Sequence, residues 1–157
     1  MSVAQQQRIK SQQAIILAID IGGSHIKLKL SNDDSELREP SGADFNPTAM
    51  IKTIKRLTQD KPYDVVSIGY PGPVVHNKIL AEPHNLGIGW VKFNFEKALG
   101  KPVKIVNDAL MQAAGSYQGG RMLFLGLGTG LGAAMIVENV AQPMELAHLL
   151  YKKDKTF

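Results

Sequence analysis

Two glycines near the start of the chain separate two hydrophobic segments of different pattern, and this arrangement constrains the fold more than any other feature. Residues 14–19 form a continuous apolar run rich in isoleucine, which is typical of a strand buried on both faces. Residues 25–30 alternate polar and apolar side chains, which indicates a strand with one face in water. Gly22 and Gly23 between them can form a tight turn. The sequence therefore predicts a β-hairpin whose first strand ends at Asp20.

Helix and strand patterns alternate along the rest of the chain. Pro47 suits a first helical turn, and apolar residues then recur at helical spacing. Gly100 is suited to end a helix in the left-handed conformation. The predicted elements are a helix over 47–59, strands over 64–68 and 103–106, short helices over 95–99 and 145–150, a helix over 109–118, and strands over 122–127 and 133–137. A hairpin followed by alternating helices and strands predicts an α/β sheet of mixed direction.

Composition excludes several classes of protein. The chain has 157 residues, of which 44% are hydrophobic and 20% charged, as in ordinary globular proteins. No apolar run approaches the roughly 20 residues of a membrane-spanning helix, and residues 1–13 are polar and glutamine-rich, so we expect a disordered extension and a cytoplasmic protein. The net charge of +4 comes from scattered basic residues, which does not favour nucleic acid as a partner. With no cysteine, thiolate zinc sites are excluded.

Two glycine-rich turns could bind phosphate. Residues 20–24 and 126–132 can each present backbone N–H groups without obstruction by Cβ atoms, and Ser24 and Thr129 add hydroxyl groups. Each turn alone is also compatible with a plain hairpin. The second turn is neither a dinucleotide-binding fingerprint nor a P-loop, because an apolar strand pattern follows it and no Gly-Lys-Ser/Thr is present. Asp20 beside the first turn could hold a hydrated Mg²⁺.

Polar residues that follow buried strands are the other candidates for chemistry. Asp108 could be the N-cap of the next helix or a general base that deprotonates an attacking hydroxyl. Asn107 offers both a donor and an acceptor to a sugar hydroxyl. Glu145 and His148 share a helix face if that segment is helical, and they could be a surface pair or bind vicinal hydroxyls. Trp90, the single tryptophan, is expected in the core.

Taken together, these segments resemble the ROK family of sugar kinases, within the actin/hexokinase superfamily. The resemblance spans nearly all of residues 14–150 and implies one lobe of a fold that normally has two, built on an actin/hexokinase-like (ribonuclease H-like) mixed sheet flanked by helices. The last residues, 151–157, would then begin the second lobe. The matching pieces are residues 20–27, 69–74, Asn85-Leu86 with Trp90, 102–109, 127–132 and 145–148.

The resemblance also implies roles for individual residues. Asp108 would be the catalytic base and Asp20 would lie near Mg²⁺. Sugar hydroxyls would be bound by Asn85, Asn107, Glu145 and His148. The phosphate site would be lined by Gly22, Gly23, Ser24, Lys27, Gly128, Thr129 and Gly130.

Within the family, the sequences of residues 22–27 and of the Tyr151-Lys-Lys stretch are most similar to those of glucokinases that use polyphosphate. This implies phosphoryl transfer from ATP or polyphosphate to a hexose, with glucose 6-phosphate as product and no zinc. It implies no nucleic-acid or membrane partner and is compatible with a homodimer. Two alternatives stay open, a sugar-binding module without catalysis and an inactive remnant of such a kinase.

Overall fold

The computed structural model describes residues 13–127, 131–144, 146, 150–152 and 155–156. The extension predicted over 1–13 lies, apart from residue 13, outside this range. The helices are α1 (Pro47–Leu57), α2 (Phe95–Leu99) and α3 (Asp108–Ser116). The strands are β1 (Ile16–Ile21), β2 (His25–Leu30), β3 (Glu36–Pro40), β4 (Val65–Tyr70), β5 (Val74–Val75), β6 (Lys78–Ile79), β7 (Val103–Asn107), β8 (Arg121–Leu127), β9 (Leu131–Val137), β10 (Val140–Met144), β11 (Leu150–Lys152) and β12 (Lys155–Thr156).

A five-stranded sheet with the order β3-β2-β1-β4-β7 forms the centre of the fold. The first three strands are antiparallel neighbours, whereas β4 runs parallel to β1 and β7 runs parallel to β4. This confirms the predicted hairpin and the predicted mixed direction of the sheet. Because β4 and β7 are parallel to β1, the carboxyl ends of these three strands meet at one edge, and the segments that follow them are brought together there.

The main core lies on one face of this sheet. Leu17, Ile19 and Ile21 of β1 point to that face, where they meet the buried side of α1. Trp90 is fully buried among aromatic rings, with the ring centre of Tyr70 at 5.7 Å, which confirms its predicted place in the core. The helix α1 begins at Asn46, whose side-chain oxygen accepts a hydrogen bond from the Ala49 amide.

A second, three-stranded antiparallel sheet has the order β10-β9-β8. It has the same topology as β3-β2-β1, since in both a glycine-rich segment lies between the first two strands in the sequence and the third strand pairs with the second. The inner face of this sheet packs on α3 through a small cluster that includes Ala113, Ala134 and Ile136. The helix α3 also contacts β4, so it is shared by the two sheets.

Some predictions from the sequence need correction. The strands β3, β5, β6, β10, β11 and β12 were not predicted, because short or charged segments such as residues 36–40 give no clear periodicity. The helix predicted over 145–150 is wrong at its end, since Leu150 begins strand β11, while residues 145 and 147–149 lie outside the described part. Within the described residues, no helix is both long and apolar enough to cross a membrane.

Candidate active site

The helix α3 begins where β7 ends, and its first turn carries two of the candidate residues. The side-chain oxygen of Asn107 accepts a hydrogen bond from the Leu110 amide at 3.1 Å, and its amide group donates to the Gly72 carbonyl at 3.4 Å. Asn107 is therefore the N-cap, which corrects the alternative that gave this role to Asp108. Asp108 is instead the first residue of the helix.

The Asp108 carboxylate lies at the carboxyl-terminal edge of the central sheet. Its Oδ1 accepts a hydrogen bond from the Ala109 amide at 2.8 Å, and the side chain is half-buried. The helix can approach β4 this closely because residue 69 is a glycine. A Cβ atom at position 69 would lie 3.3 Å from the Cα of Asp108 and 2.7 Å from the Cε of Met111.

Asp20, at the end of β1, faces the same helix. Gln112 lies one helical turn after Asp108, and its Nε2 donates to Asp20 Oδ2 at 3.4 Å. Burial raises the pKa of the Asp20 carboxyl above its usual value, although the positive charge of Lys27 and the hydrogen bond from Gln112 oppose this rise. Glu36 adds to it through like-charge repulsion. The two candidate carboxylates are thus linked through one helix.

The first glycine turn joins β1 to β2 beside Asp20. The Gly22 amide donates to the His25 carbonyl at 3.0 Å, and a Cβ atom at position 22 would lie 2.9 Å from that oxygen. Ser41 satisfies two carbonyls of the turn, since its hydroxyl donates to Gly22 O at 2.6 Å and its amide donates to Ser24 O at 2.9 Å. Because these oxygens bind protein donors, they are not left free to repel a phosphate near the turn.

Asn85 lies next to this turn. A Cβ atom at position 23 would lie 3.3 Å from the Asn85 Cβ, so a side chain on Gly23 would crowd Asn85. The loop that carries Asn85 is fixed by Glu82, whose carboxylate accepts hydrogen bonds from the amides of residues 89, 90 and 91 at 3.0, 2.9 and 3.1 Å. The structure thus places Asn85, a candidate sugar-binding residue, beside a turn that is a candidate phosphate-binding site.

The second glycine hairpin approaches α3 from the other sheet. Gly126 pairs with Gly132, and Leu127 pairs with Leu131 at the ends of the two strands. A Cβ atom at position 132 would lie 3.1 Å from the Cβ of Ala109, the residue after Asp108. Gly128, Thr129 and Gly130 lie outside the described residues, as do Glu145 and His148.

Four of the described positions therefore meet at α3: Asn107 and Asp108 begin it, Asp20 contacts it through Gln112, and Gly132 lies against Ala109 in its first turn. Gly22, Gly23 and Asn85 lie together at the turn that follows β1. Sequence reasoning missed Gln112 and Ser41. Gln112 could have been found, because it lies four residues after Asp108 on a predicted helix and so shares its face. Ser41 could not, because it follows a strand that the sequence pattern does not reveal.

No cluster of three or more potential metal-ligating side chains is present among the described residues. A magnesium site that depends on substrate does not require such a cluster, because Mg²⁺ bound with phosphate substrates commonly takes only one or two carboxylates from the protein. The single carboxylate of Asp20 fits that donor set.

Comparison with known proteins extends this description. Residues 16–143 match the sequence model of a protein family described as the ROK family. The N-acetylmannosamine kinase of Citrobacter koseri is 32% identical over 136 residues, which cover 76% of this chain and 47% of that protein. The protein of the same name from Escherichia coli O157:H7 is 31% identical over 136 residues, with 76% and 46% covered. The chain thus spans about half the length of the curated relatives it matches.

Solved structures give the same fold. The inorganic polyphosphate/ATP-glucomannokinase of Arthrobacter sp. strain KM superposes with a TM-score of 0.71 at 26% identity, covering 87% of this chain and 64% of that one. A ROK family glucokinase from Streptomyces griseus, solved with glucose and AMPPNP, gives a TM-score of 0.71 at 22% identity, covering 88% and 51%. The mixed sheet flanked by helices is confirmed by these neighbours, which the chain matches over only part of their fold. Because the family model matches residues 16–143, which is most of this chain, the chain belongs to the ROK family.

Proposed function

We propose that this chain carries the acceptor side and part of the phosphate site of a kinase that transfers a phosphoryl group to a hexose hydroxyl. One observation supports the proposal above all others: the carboxylates at positions 20 and 108 lie along one helix, which both glycine hairpins approach. A phosphate held at the glycine turns would therefore lie near a base that can accept a proton. Glucose is the proposed acceptor, with ATP or polyphosphate as donor.

The proposed reaction uses Asp108 as the general base. As the sugar oxygen forms its bond to phosphorus, its proton passes to the Asp108 carboxylate. The bond between phosphorus and the donor oxygen breaks, and ADP or a polyphosphate shortened by one unit leaves. Asp20 would hold Mg²⁺, which when bound neutralises charge on the transferred phosphoryl group. In this way the protein supplies position and charge rather than covalent chemistry.

Sugar hydroxyls are assigned to four polar side chains, namely Asn85, Asn107, Glu145 and His148. In Asn107 the amide oxygen caps α3 and the amide nitrogen reaches Gly72, but each atom can form one more hydrogen bond. A sugar bound there would be held by a side chain whose rotamer is already fixed, which lowers the entropic cost of binding.

The curated relatives support a second acceptor. Because relatives 31–32% identical to this chain are named N-acetylmannosamine kinases, an N-acetylated hexosamine is the alternative to glucose. A non-catalytic sugar-binding module is the alternative to a kinase. These three possibilities predict different combinations of binding and turnover, so one set of measurements separates them.

The test combines thermal stabilisation by sugar with detection of the phosphorylated product. Bound ligand stabilises the fold, so the preferred sugar, glucose or N-acetylmannosamine, should raise Tm. Production of sugar phosphate is then measured with ATP and with polyphosphate. We expect Asp108→Asn to lower turnover by about 10² to 10⁴-fold, the usual contribution of a general base, while the sugar still raises Tm.

Asp60→Asn is the matched control. It removes an exposed carboxylate that follows α1 and is not part of the candidate site, so turnover should be unchanged. Turnover that survives in the Asp108 variant would refute the assignment of the base. A rise in Tm without turnover in the wild type would identify a binding module, and absence of both would argue against either sugar as ligand.

A further inference from the structure

A row of charged residues crosses the first three strands of the central sheet. Asp20 of β1 is directly opposite Lys27 of β2, which is directly opposite Arg38 of β3. Because directly paired residues point to the same face of a sheet, the three side chains lie side by side on one face. With strands about 4.8 Å apart, the row extends about 10 Å from Asp20 to Arg38.

Arg38 is held by an imidazole instead of a carboxylate. Its Nη2 lies 3.0 Å from Nδ1 of His25, so the guanidinium donates to a neutral ring and its charge is not compensated there. Other basic residues nearby are paired with acids. Lys29 lies 3.5 Å from Asp34, and Arg56 lies 2.9 Å from Glu39. No carboxylate of the described residues comes within 4 Å of the Arg38 guanidinium.

The surroundings of this row leave it open on one side. The core and α1 lie on the opposite face, where Ile26 and Leu28 are buried. The helix α3 covers the Asp20 face mainly over β4 and β7 and reaches Asp20 through Gln112. The next row of the same face carries Lys29 opposite the acidic Glu36, so the uncompensated positive charge is confined to the part near the glycine turn.

We propose that His25, Lys27 and Arg38, here called the basic strip, bind the non-transferred phosphates of a linear oligophosphate whose terminal phosphate lies near Asp20. This inference rests on the proposed function and assigns its donor class. The guanidinium of Arg38 can bind a phosphate through two parallel hydrogen bonds, and Lys27 adds a second charge between it and Asp20.

The chemistry of the strip favours a polyanion over a nucleotide. Lys27 and Arg38 place two adjacent cationic side chains in the row, and these match a ligand with a negative charge on every unit. The strand residues of this face include no Phe, Tyr or Trp on which a nucleobase could stack, since β1, β2 and β3 contribute the side chains of Ile16, Ala18, Asp20, His25, Lys27, Lys29, Glu36, Arg38 and Pro40. The strip therefore fits phosphate units in sequence.

The experiment measures the binding of tripolyphosphate and of orthophosphate to the full chain by isothermal titration calorimetry. The wild type should bind tripolyphosphate at least tenfold more tightly than orthophosphate. Arg38→Gln should lower the affinity for tripolyphosphate about tenfold, as expected for loss of a charge-assisted hydrogen bond, and change that for orthophosphate less than twofold. His25→Ala keeps the charge of Arg38 and should have a smaller effect.

Arg56→Gln is the matched control, because Arg56 belongs to α1 and pairs with Glu39 on the opposite face of β3, so its loss should leave both affinities unchanged. Equal losses in Arg38→Gln and Arg56→Gln, or equal affinities of the wild type for the two anions, would overturn the proposal. Since Arg38 is exposed, its substitution should leave Tm within about 2 °C of the wild type, which separates lost binding from lost folding. Neither result depends on Asp108, so failure of the general-base test leaves this one intact.

Discussion

At the scale of single residues, Asp20 shows how a functional group opposes stability. Its carboxyl is partly buried near Lys27 and Gln112, and desolvation, together with repulsion from Glu36, raises its pKa despite the opposing contributions of Lys27 and Gln112. A partly buried carboxyl with a shifted pKa is typical of functional sites. Asp20, whose burial is unfavourable for its charged form, is also the residue assigned to Mg²⁺.

The raised pKa of Asp20 predicts that Asp20→Asn stabilises the fold at neutral pH. A carboxyl whose pKa is higher in the folded than in the unfolded chain binds protons more tightly when folded, so its ionisation lowers stability as pH rises from the unfolded pKa through the folded one. Tm of the variant should exceed that of the wild type at pH 7. The difference should shrink as pH falls towards about 4, where the carboxyl becomes protonated in both states. A lower Tm of the variant at pH 7 would contradict this account.

At the scale of elements, the contact between α3 and β4 sets the position of the base. Gly69 permits that contact, and Asn107 fixes the start of the helix. The sequence predicted both elements and their order, because buried strands and an amphipathic helix have clear periodicity. It did not predict that Gln112 of α3 would contact Asp20 of β1. Such contacts depend on the register of the sheet, which no local sequence pattern determines.

Gly69→Ala should destabilise the chain by about 1–3 kcal/mol, the usual cost of overpacking, because the added methyl group would overlap Met111 and press on the backbone of residue 108. Urea denaturation measures this change. Gly115→Ala is the matched control within α3, since no atom lies within 4 Å of the added carbon, and it should stabilise by about 0.5–1 kcal/mol. If both substitutions had the same sign, close packing of β4 on the helix would not be the cause.

The sequence also predicted part of the candidate site. Asp20, Asn85, Asn107 and Asp108 were named from motifs, and the structure brings them to one edge of the sheet. Arg38 was not named, because a single arginine in a charged segment looks like a solvated surface residue. Its pairing with His25 across two strands becomes visible only once the register is known.

At the scale of the whole molecule, the outer face of the second sheet is apolar and uncovered. Leu123, Leu125 and Leu127 of β8 alternate with inward-facing residues and are 55%, 52% and 89% exposed. Met135 of β9 lies opposite Leu123 on the same face. A contiguous exposed apolar surface of this kind favours association with other apolar surfaces.

We expect this face to drive self-association of the isolated chain. Replacing Leu123 and Leu125 with threonine keeps the preference for strand conformation and removes apolar surface, so the variant should stay monomeric at concentrations at which the wild type associates. Sedimentation velocity at several concentrations measures the difference. Leu80→Thr, at an equally exposed leucine outside both sheets, should behave as the wild type does. Association unchanged in the double variant would exclude this face as its cause.

Because α3 packs against β4 on one side and β9 on the other, its first turn cannot keep its place relative to both sheets if they tilt against each other. Geometry at the sugar would then depend on side chains that never meet a ligand. A substitution in the small cluster around Ala113 and Ala134 would then turn the Asp108 carboxylate away from the attacking sugar hydroxyl. The proposed phosphoryl transfer would slow, although no residue that contacts the sugar had been changed.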